Sequence, residues 1–319
     1  MPEDRQICEA FAKAHAAELN LPVFVLDYWK HFRTSAYEQT PIASSGKPFP
    51  LVLISHGEGT SRLLHVSQAE NLASHGYIVA AIDHTYSTLA TAFPGGRVSG
   101  YTVRSKGTTE EVFDHASRVG AVWMQDIAYV IRSLEQLSDG AFGSGFRGRI
   151  DMDRIGMMGH SFGGATAFRA VNDIPAIRAG INMDGTLFDI RERDGMDKPF
   201  LFMESEHFLT WKTKLERGEV TDPAITKRLS AELAAIDRAV DHGGTMIVVE
   251  GASHYNFTDL QLFTEMLDFT GMTGSIKGER GAGLINAYVL EFFDKHLKGT
   301  GSGELLKEPS PLYPEVKFP

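Results

Sequence analysis

The sequence predicts an α/β fold: a mostly parallel central sheet with helices on both faces. Three observations carry that expectation. Leu51–Ile54, Gly76–Ile82, Ile155–Met158, Ala179–Met183, Pro199–Met203 and Thr245–Val249 are short, nearly unbroken apolar runs. Strands buried on both faces read this way, without the alternation of a half-wet sheet. Between the runs lie longer stretches with apolar residues at helical spacing, and strand–helix alternation from residue 51 onward requires crossovers that cover both faces. Finally, the runs end in small or reactive residues: Ser55-His56-Gly57, Asp83-His84, Gly159-His160-Ser161, Asp184-Gly185, Glu204-Ser205-Glu206 and Gly251-Ala252-Ser253-His254. Functional groups of such sheets gather outside the carboxyl ends of the strands.

In chain order, residues 5–18 are Ala-rich and predict a helix with Cys8, Phe11 and Ala14 on one face. Leu21–Phe32 carries Val23, Phe24, Val25, Leu26, Tyr28, Trp29 and Phe32, and reads as a buried helix or an apolar flap over a site. Thr40–Pro50 is a Pro/Gly/Ser loop leading into the first strand. Helices are expected at Arg62–Ser74, at Ser117–Leu137 (with Val122, Ile127, Val130, Ile131 and Leu134 in phase), directly after Ser161, at Thr221–Asp241, and at Leu284–Lys298 before Gly299. Residues 85–113 read as an irregular polar loop near the mouth of the site. Neither internal repeat nor low-complexity linker interrupts the pattern. A single domain over 1–319 is expected, with an N-terminal helical and apolar segment (1–49), a catalytic core (50–300) and a C-terminal tail (301–319).

Composition narrows the function classes. The chain has 319 residues, 43% hydrophobic and 23% charged, as in an ordinary globular protein. Its net charge of −10, without a dense basic cluster, speaks against nucleic acid and against attraction to anionic membranes. Cys8 is the only cysteine, so no intramolecular disulfide forms and neither a Cys nucleophile nor a Cys-rich metal site is expected. No apolar run has membrane-spanning length, and Met1-Pro2-Glu3-Asp4 lacks the basic-then-apolar pattern of a signal peptide. The chain as written reads as soluble, as would one whose leader had been removed.

The chemistry centres on Ile155–Phe168, I-G-M-M-G-H-S-F-G-G-A-T-A-F. Gly159-His160-Ser161-Phe162-Gly163 fits G-x-S-x-G, the nucleophile elbow of α/β-hydrolases. The turn from strand to helix there is so sharp that residues two before and two after the nucleophile must lack side chains. Gly159 and Gly163 meet that demand. An activated serine needs an imidazole within reach, and the imidazole needs an acid, in the order Ser, acid, His for this fold. His254 is the downstream histidine that directly follows a strand, in a small-residue loop; His207, His242 and His296 are placed worse. Asp184, with Gly185 permitting a turn behind it, is the favoured acid over Glu204 and Glu206. The oxyanion requires two backbone donors. These are assigned to the N–H of Phe162 and, in the Gly-rich turn after the first strand, of Glu58. His56 and His160 flank the site as supporting or pocket groups. Trp29 and Phe257, with Leu260, Leu262, Phe263, Met266, Leu267 and Phe269, are candidates for an apolar wall, although such residues also build ordinary cores.

Several blocks carry a family likeness: P-L-V-L-I-S-H-G-E-G, L-A-S-H-G-Y-I-V-A-A-I-D-H, R-I-D-M-D-R-I-G-M-M-G-H-S-F-G-G-A-T-A, I-N-M-D-G, S-H-Y-N-F-T-D, I-N-A-Y-V-L-E-F-F-D-K-H-L-K-G and P-S-P-L-Y-P-E-V. From about residue 50 onward the chain resembles the platelet-activating-factor acetylhydrolases of the secreted, type II kind and their bacterial relatives. The resemblance implies a Ser161–Asp184–His254 triad, with the acid one strand earlier than in most α/β-hydrolases, and supports Glu58 and Phe162 as oxyanion donors. It implies no metal and no cofactor, and cleavage of short or oxidised acyl esters without need of a lipid interface. Such relatives carry an antiparallel strand pair ahead of the segment resembling residues 10–50. Here a helix stands first, so either the chain is truncated or this member lacks that pair; if the strands are missing, one sheet edge is exposed, to be covered by another chain, as in a homo-oligomer, or left prone to aggregate. Glu58 stands where relatives have an apolar residue, and its carboxylate would disfavour anionic substrates.

The expected function is therefore a serine carboxylic ester hydrolase acting on a small-molecule ester or lipid. A lipase or polyester-type esterase, an acyltransferase on the same triad, and a non-catalytic hydrolase fold that only binds are the alternatives.

Overall fold

The computed structural model describes residues 2–18, 22–25, 34–93, 95–143, 145–191, 197–263 and 265–319. Its main sheet contains β1 (Phe49–Ser55), β2 (Ile78–Ile82), β5 (Ile150–His160), β6 (Ile177–Met183), β7 (Phe200–Ser205), β8 (Thr245–Val249) and β9 (Val316–Lys317), in the order β2-β1-β5-β6-β7-β8-β9. All neighbours pair in parallel except β9, which runs antiparallel to β8. A second, two-stranded sheet pairs β3 (Ala90–Ala92) with β4 (Val98–Gly100).

The apolar runs form the strands for the reason their pattern suggests. Leu51, Val52, Leu53 and Ile54 have no exposed surface, because both faces of the sheet are covered. Strand alternation sends Leu51 and Leu53 to one side, against Ile127 and Phe168, and Val52 and Ile54 to the other, against Leu72 and Val289. On the first side lie α3 (Thr109–Ser138), α4 (Phe162–Asp173) and α6 (Pro223–Asp241); on the second lie α2 (Val66–Ser74) and α7 (Gly278–Phe293). The remaining helices are α1 (Pro2–Glu18), whose Phe11, Ala12 and Ala16 pack with Leu64, Leu89 and Leu260, and α5 (Glu206–Glu216). The chain runs outward from β1 to β2, then crosses back to place β5 on β1's other side. Strand order thus reverses between β1 and β5, and in open sheets of this kind ligands bind outside the carboxyl ends at such a point.

Several expectations are corrected. The loop expected over residues 85–113 contains the β3–β4 pair, and α3 begins at Thr109, because Thr108 and Glu111 form a capping box. The Thr108 N–H donates to Glu111 Oε2 at 2.7 Å, and the Glu111 N–H to Thr108 Oγ1 at 3.3 Å. Val122, expected on the inner face of α3, points outward and is 55% exposed. The last helix ends at Phe293, and a π-helical turn (Asp294–Lys298) carries the chain to Gly299 at φ +69°. The tail contains β9, whose fully buried Val316 closes the β8 edge.

Among the described residues no strand pairs with the outer edge of β2. Of the apolar stretch Leu21–Phe32, residues 22–25 are described, with Phe24 largely exposed; Trp29 lies outside the described residues. No helix among the described residues is long and apolar enough to cross a membrane.

Candidate active site

Ser161 sits at the carboxyl end of β5 as the N-cap of α4, with φ +53° and ψ −125°. A non-glycine residue in this region costs about 1–3 kcal/mol, so the surroundings must impose it. They do so through close backbone contacts: a Cβ at Gly159 would run into the Gly163 backbone, and one at Gly163 into the carbonyls of Ser55 and His56. The Ser161 N–H is tied to the Met183 carbonyl at 2.9 Å, which fixes this serine to the end of β6.

Asp184 is the next residue after that carbonyl. Its own φ is +54°, and its N–H donates to the Met203 carbonyl at 2.8 Å. Oδ2 accepts the His254 Nδ1–H at 2.6 Å, and Oδ1 accepts the Ser205 N–H at 2.8 Å. Burial alone would push this carboxyl up. The hydrogen bond and charge of His254, with the bond from the Ser205 N–H, outweigh burial and hold it below the ordinary value. Gly185 is needed for a different reason from the one expected: Asp184 itself takes the left-handed turn, whereas a Cβ at Gly185 would run into the Ser161 carbonyl.

His254 opens a 3-10 turn, His254–Phe257, clamped by the Ser253 N–H donating to Asn256 Oδ1 at 2.8 Å. The His160 Nε2–H donates to the His254 carbonyl at 2.9 Å, and the two rings lie 4.5 Å apart. The histidine next to Ser161 thus anchors the histidine of the Asp184 pair. The His254 side chain is 38% exposed, so its outer face meets solvent and whatever binds there.

The turn after β1 lies against the elbow: a Cβ at Gly57 would sit 3.1 Å from Ser161 Cβ. His56 shapes this turn, its Nδ1–H donating to the Gly57 carbonyl at 2.7 Å and its Nε2 accepting the His84 N–H at 3.0 Å. The Glu58 N–H belongs to this turn, and the Phe162 N–H is the first of α4, which has no intrahelical acceptor. The Glu58 carboxylate accepts the Tyr101 hydroxyl at 2.9 Å, and burial raises its pKa despite that bond.

Three of the expected pocket residues are corrected: His56, His160 and Phe257 have no exposed surface. His56 and His160 belong to a buried group with His65 and His84, in which His84 stacks on Trp123 at 3.9 Å. Burial keeps these imidazoles neutral, pushing His65 down to about 4 and His56 and His160 well below the usual histidine range. Phe257 is core, and Phe269, expected in an apolar wall, is 93% exposed.

The open space lies elsewhere. A cavity of about 670 Å³ runs beside His254 between α3, α5 and α6. Val112, Phe113, Phe208, Trp211, Leu229 and Leu233 give it apolar walls, and Asp184, Glu204 and Glu232 line its polar end. Sequence reasoning missed these walls because they come from three helices far apart in the chain. Glu206, the third candidate acid, instead accepts the Gly251 N–H at 2.6 Å. No group of three His, Cys, Asp or Glu side chains able to hold a metal ion occurs among the described residues.

A family model, "Platelet-activating factor acetylhydrolase, isoform II", matches residues 9–98 and 124–302. The chain belongs to this family. A platelet-activating factor acetylhydrolase of Cavia porcellus is 26% identical over 272 residues, covering 79% of this chain and 58% of its own length. A probable 1-alkyl-2-acetylglycerophosphocholine esterase of Arthroderma benhamiae is 30% identical over 301 residues, covering 88% of this chain and 68% of its own. Among solved structures, the ferulic acid esterase from Streptomyces cinnamoneus aligns with a TM-score of 0.72 and 28% identity, over 98% of this chain and 84% of that one. The mostly parallel sheet, the elbow and this neighbour make the fold that of an α/β-hydrolase. The match spans 58% of the length of the guinea pig and bovine acetylhydrolases.

Proposed function

We propose that the protein is a serine carboxylic ester hydrolase of the acetylhydrolase type, acting on short-chain or oxidised acyl esters. The observation that carries the reading is the 2.6 Å Asp184–His254 pair, whose Asp184 directly follows the Met183 carbonyl that holds the N–H of the strained Ser161. Ser161 Oγ attacks the acyl carbonyl while His254 Nε2 takes its proton. Asp184 fixes the imidazole tautomer and stabilises the imidazolium that forms. The N–H groups of Phe162 and Glu58 receive the oxyanion. His254 then protonates the leaving alcohol, and a water activated by the same imidazole releases the acyl group and regenerates Ser161. The cavity beside His254 gives an apolar part of the substrate a place to bind.

A p-nitrophenyl ester series from acetate to laurate, run on wild type and Ser161→Ala, tests this. Turnover should favour the short esters and fall at least about 10³-fold in the variant. Fluorophosphonate labelling should be confined to Ser161. Turnover that survives the variant would exclude the triad, and absence of both turnover and labelling would leave a binding fold. Turnover rising toward laurate would keep the triad and point to a lipase or polyester esterase.

A further inference from the structure

On the β1 side of Ser161 a second Ser–His–Asp arrangement occurs. His84, just past β2, lies between Ser55 at the end of β1 and Asp126 on α3. Its Nδ1 is 2.9 Å from Asp126 Oδ2, and its Nε2 is 2.9 Å from Ser55 Oγ. Ser55 has no exposed surface, so its hydroxyl meets no substrate and the group is not another active site. It has to act through its neighbours.

The contacts dictate where the protons sit. A carboxylate only accepts, so His84 carries its proton on Nδ1, and Nε2 accepts the Ser55 hydroxyl. The backbone N–H of His84 donates to His56 Nε2 at 3.0 Å. A backbone N–H only donates, so His56 in turn carries its proton on Nδ1, which donates to the Gly57 carbonyl at 2.7 Å. Burial keeps both imidazoles neutral, outweighing in His84 the pull of Asp126. Trp123 stacks on the His84 ring, 3.9 Å between centroids and 7° between planes, and restrains its tilt.

These bonds converge on the Gly57–Glu58 peptide. Its carbonyl also accepts the Thr60 N–H at 3.0 Å and the Thr60 hydroxyl at 2.7 Å. The peptide is trans, and a planar trans peptide points its N–H and its C=O in opposite directions. Fixing the Gly57 carbonyl therefore fixes the direction of the Glu58 N–H, one of the two donors assigned to the oxyanion. Each bond to that carbonyl also polarises the peptide and makes the N–H a stronger donor.

We propose that Asp126, His84 and His56 are positioning residues of the oxyanion hole: a line of hydrogen bonds running inward from the Asp126 carboxylate sets the direction of the Glu58 N–H. Asp126 selects the His84 tautomer and holds the ring. His84 holds His56 through its backbone, and His56 holds the peptide. Without Asp126 the His84 ring is free to move its proton to Nε2 and to shift against Ser55, which loosens the N–H that fixes His56. The inference rests on the hydrolase reading above.

The test starts at Asp126, whose side chain is 42% exposed, so that substitution there leaves the core packing in place. Asp126→Asn keeps an oxygen to accept the His84 Nδ1–H, and Asp126→Leu does not. Oxyanion donors act on the transition state rather than on the bound ester, so a misdirected donor lowers kcat and spares KM. With p-nitrophenyl acetate, Asp126→Leu should lower kcat about tenfold at unchanged KM, and Asp126→Asn should recover most of that loss. At the inner end of the line, His56→Leu should lower kcat about 10²-fold, close to the loss of one oxyanion donor. His56→Asn, whose amide can donate where Nδ1–H does, should recover most of it. If His56→Leu does not fold, the Asp126 pair decides alone. Leu and Asn variants of Asp126 with equal kcat, or a loss that falls on KM, would overturn the proposal. A second readout needs no ester turnover. In Ser161→Ala protein the imidazole proton resonances of His84 and His56 should persist in Asp126→Asn, whereas in Asp126→Leu the first should be lost and the second should shift. A His56 resonance unmoved by Asp126→Leu would overturn the line of bonds. If the resonances respond as expected while wild type cleaves no ester, the hydrolase reading fails and the line of bonds to the Gly57–Glu58 peptide stands.

Discussion

Ser161 and Asp184 both hold positive φ, at +53° and +54°, and each is one of the few non-glycine residues among those described to do so. Such conformations persist where neighbouring contacts over-determine them, here the Met183 and Met203 carbonyls that take their N–H groups. This decides how the acid should be probed. Alanine at position 184 would carry the backbone cost as well as the missing carboxylate, whereas Asn tolerates the left-handed region and fills the same volume. Asp184→Asn should therefore fold with nearly wild-type melting, leave KM for p-nitrophenyl acetate close to unchanged, and lower kcat about 10³–10⁴-fold by presenting a donor toward the imidazole. A loss below tenfold would return Glu204 to consideration as the working acid. At this scale the sequence was informative about backbone demand and poor about burial. G-x-S-x-G and the strand-end positions of Asp184 and His254 were legible because they are local. That His56, His160 and Phe257 would have no surface at all was not, since each is enclosed by elements distant in sequence.

The elements divide along the same line. Strands β1, β5, β6, β7 and β8 announced themselves as apolar runs because two covered faces leave no position for polar alternation. The short β3, β4 and β9 were not legible: two or three residues hold no period, and β9 exists because β8 offers Val249 as a partner for Val316. The N-terminus of α3 was hidden in a polar stretch, although Thr108 with Glu111 is a recognisable cap. That first turn matters to the site, because Thr109, Val112 and Phe113 line the cavity beside His254. Thr108→Ala removes the side-chain acceptor for the Glu111 N–H and should cost about 1 kcal/mol in urea unfolding. It should also raise KM for esters that reach into the cavity while leaving acetate turnover unchanged. Equal effects on all esters would mean that the start of α3 does not shape the cavity.

On the scale of the whole molecule, the strand-order reversal brings β1, β5, β6, β7 and β8 to one rim, and the same convergence crowds Asp184, Glu204 and Glu232 into a buried acidic group. The alternation of strands and helices made the rim foreseeable; the crowding was not, because α6 brings Glu232 in from a helix whose inner face reads as apolar. Crowding has a global consequence. Burial raises the Glu232 carboxyl from 4.5 to about 7, a change that the Leu187 N–H and Arg228 only moderate. The folded state therefore binds more protons than the unfolded state between these values. Stability from this group is fully present below 4.5 and is lost as pH rises through about 7. Between pH 5 and pH 8 the loss is about 2–3 kcal/mol. Asp184 acts in the opposite sense at more acidic pH, since its lowered carboxyl contributes stability that disappears only as the pH falls through its folded value. The two effects occupy separate windows and can be separated experimentally. Glu232→Gln keeps an acceptor for the Leu187 N–H and removes the titration, so urea unfolding should show the variant gaining on wild type steadily from pH 5 to pH 8, by that same amount. Parallel stability curves for the two proteins would mean that Glu232 ionises in the folded state as easily as in water, and that the acidic group behind Asp184 is not shielded from solvent.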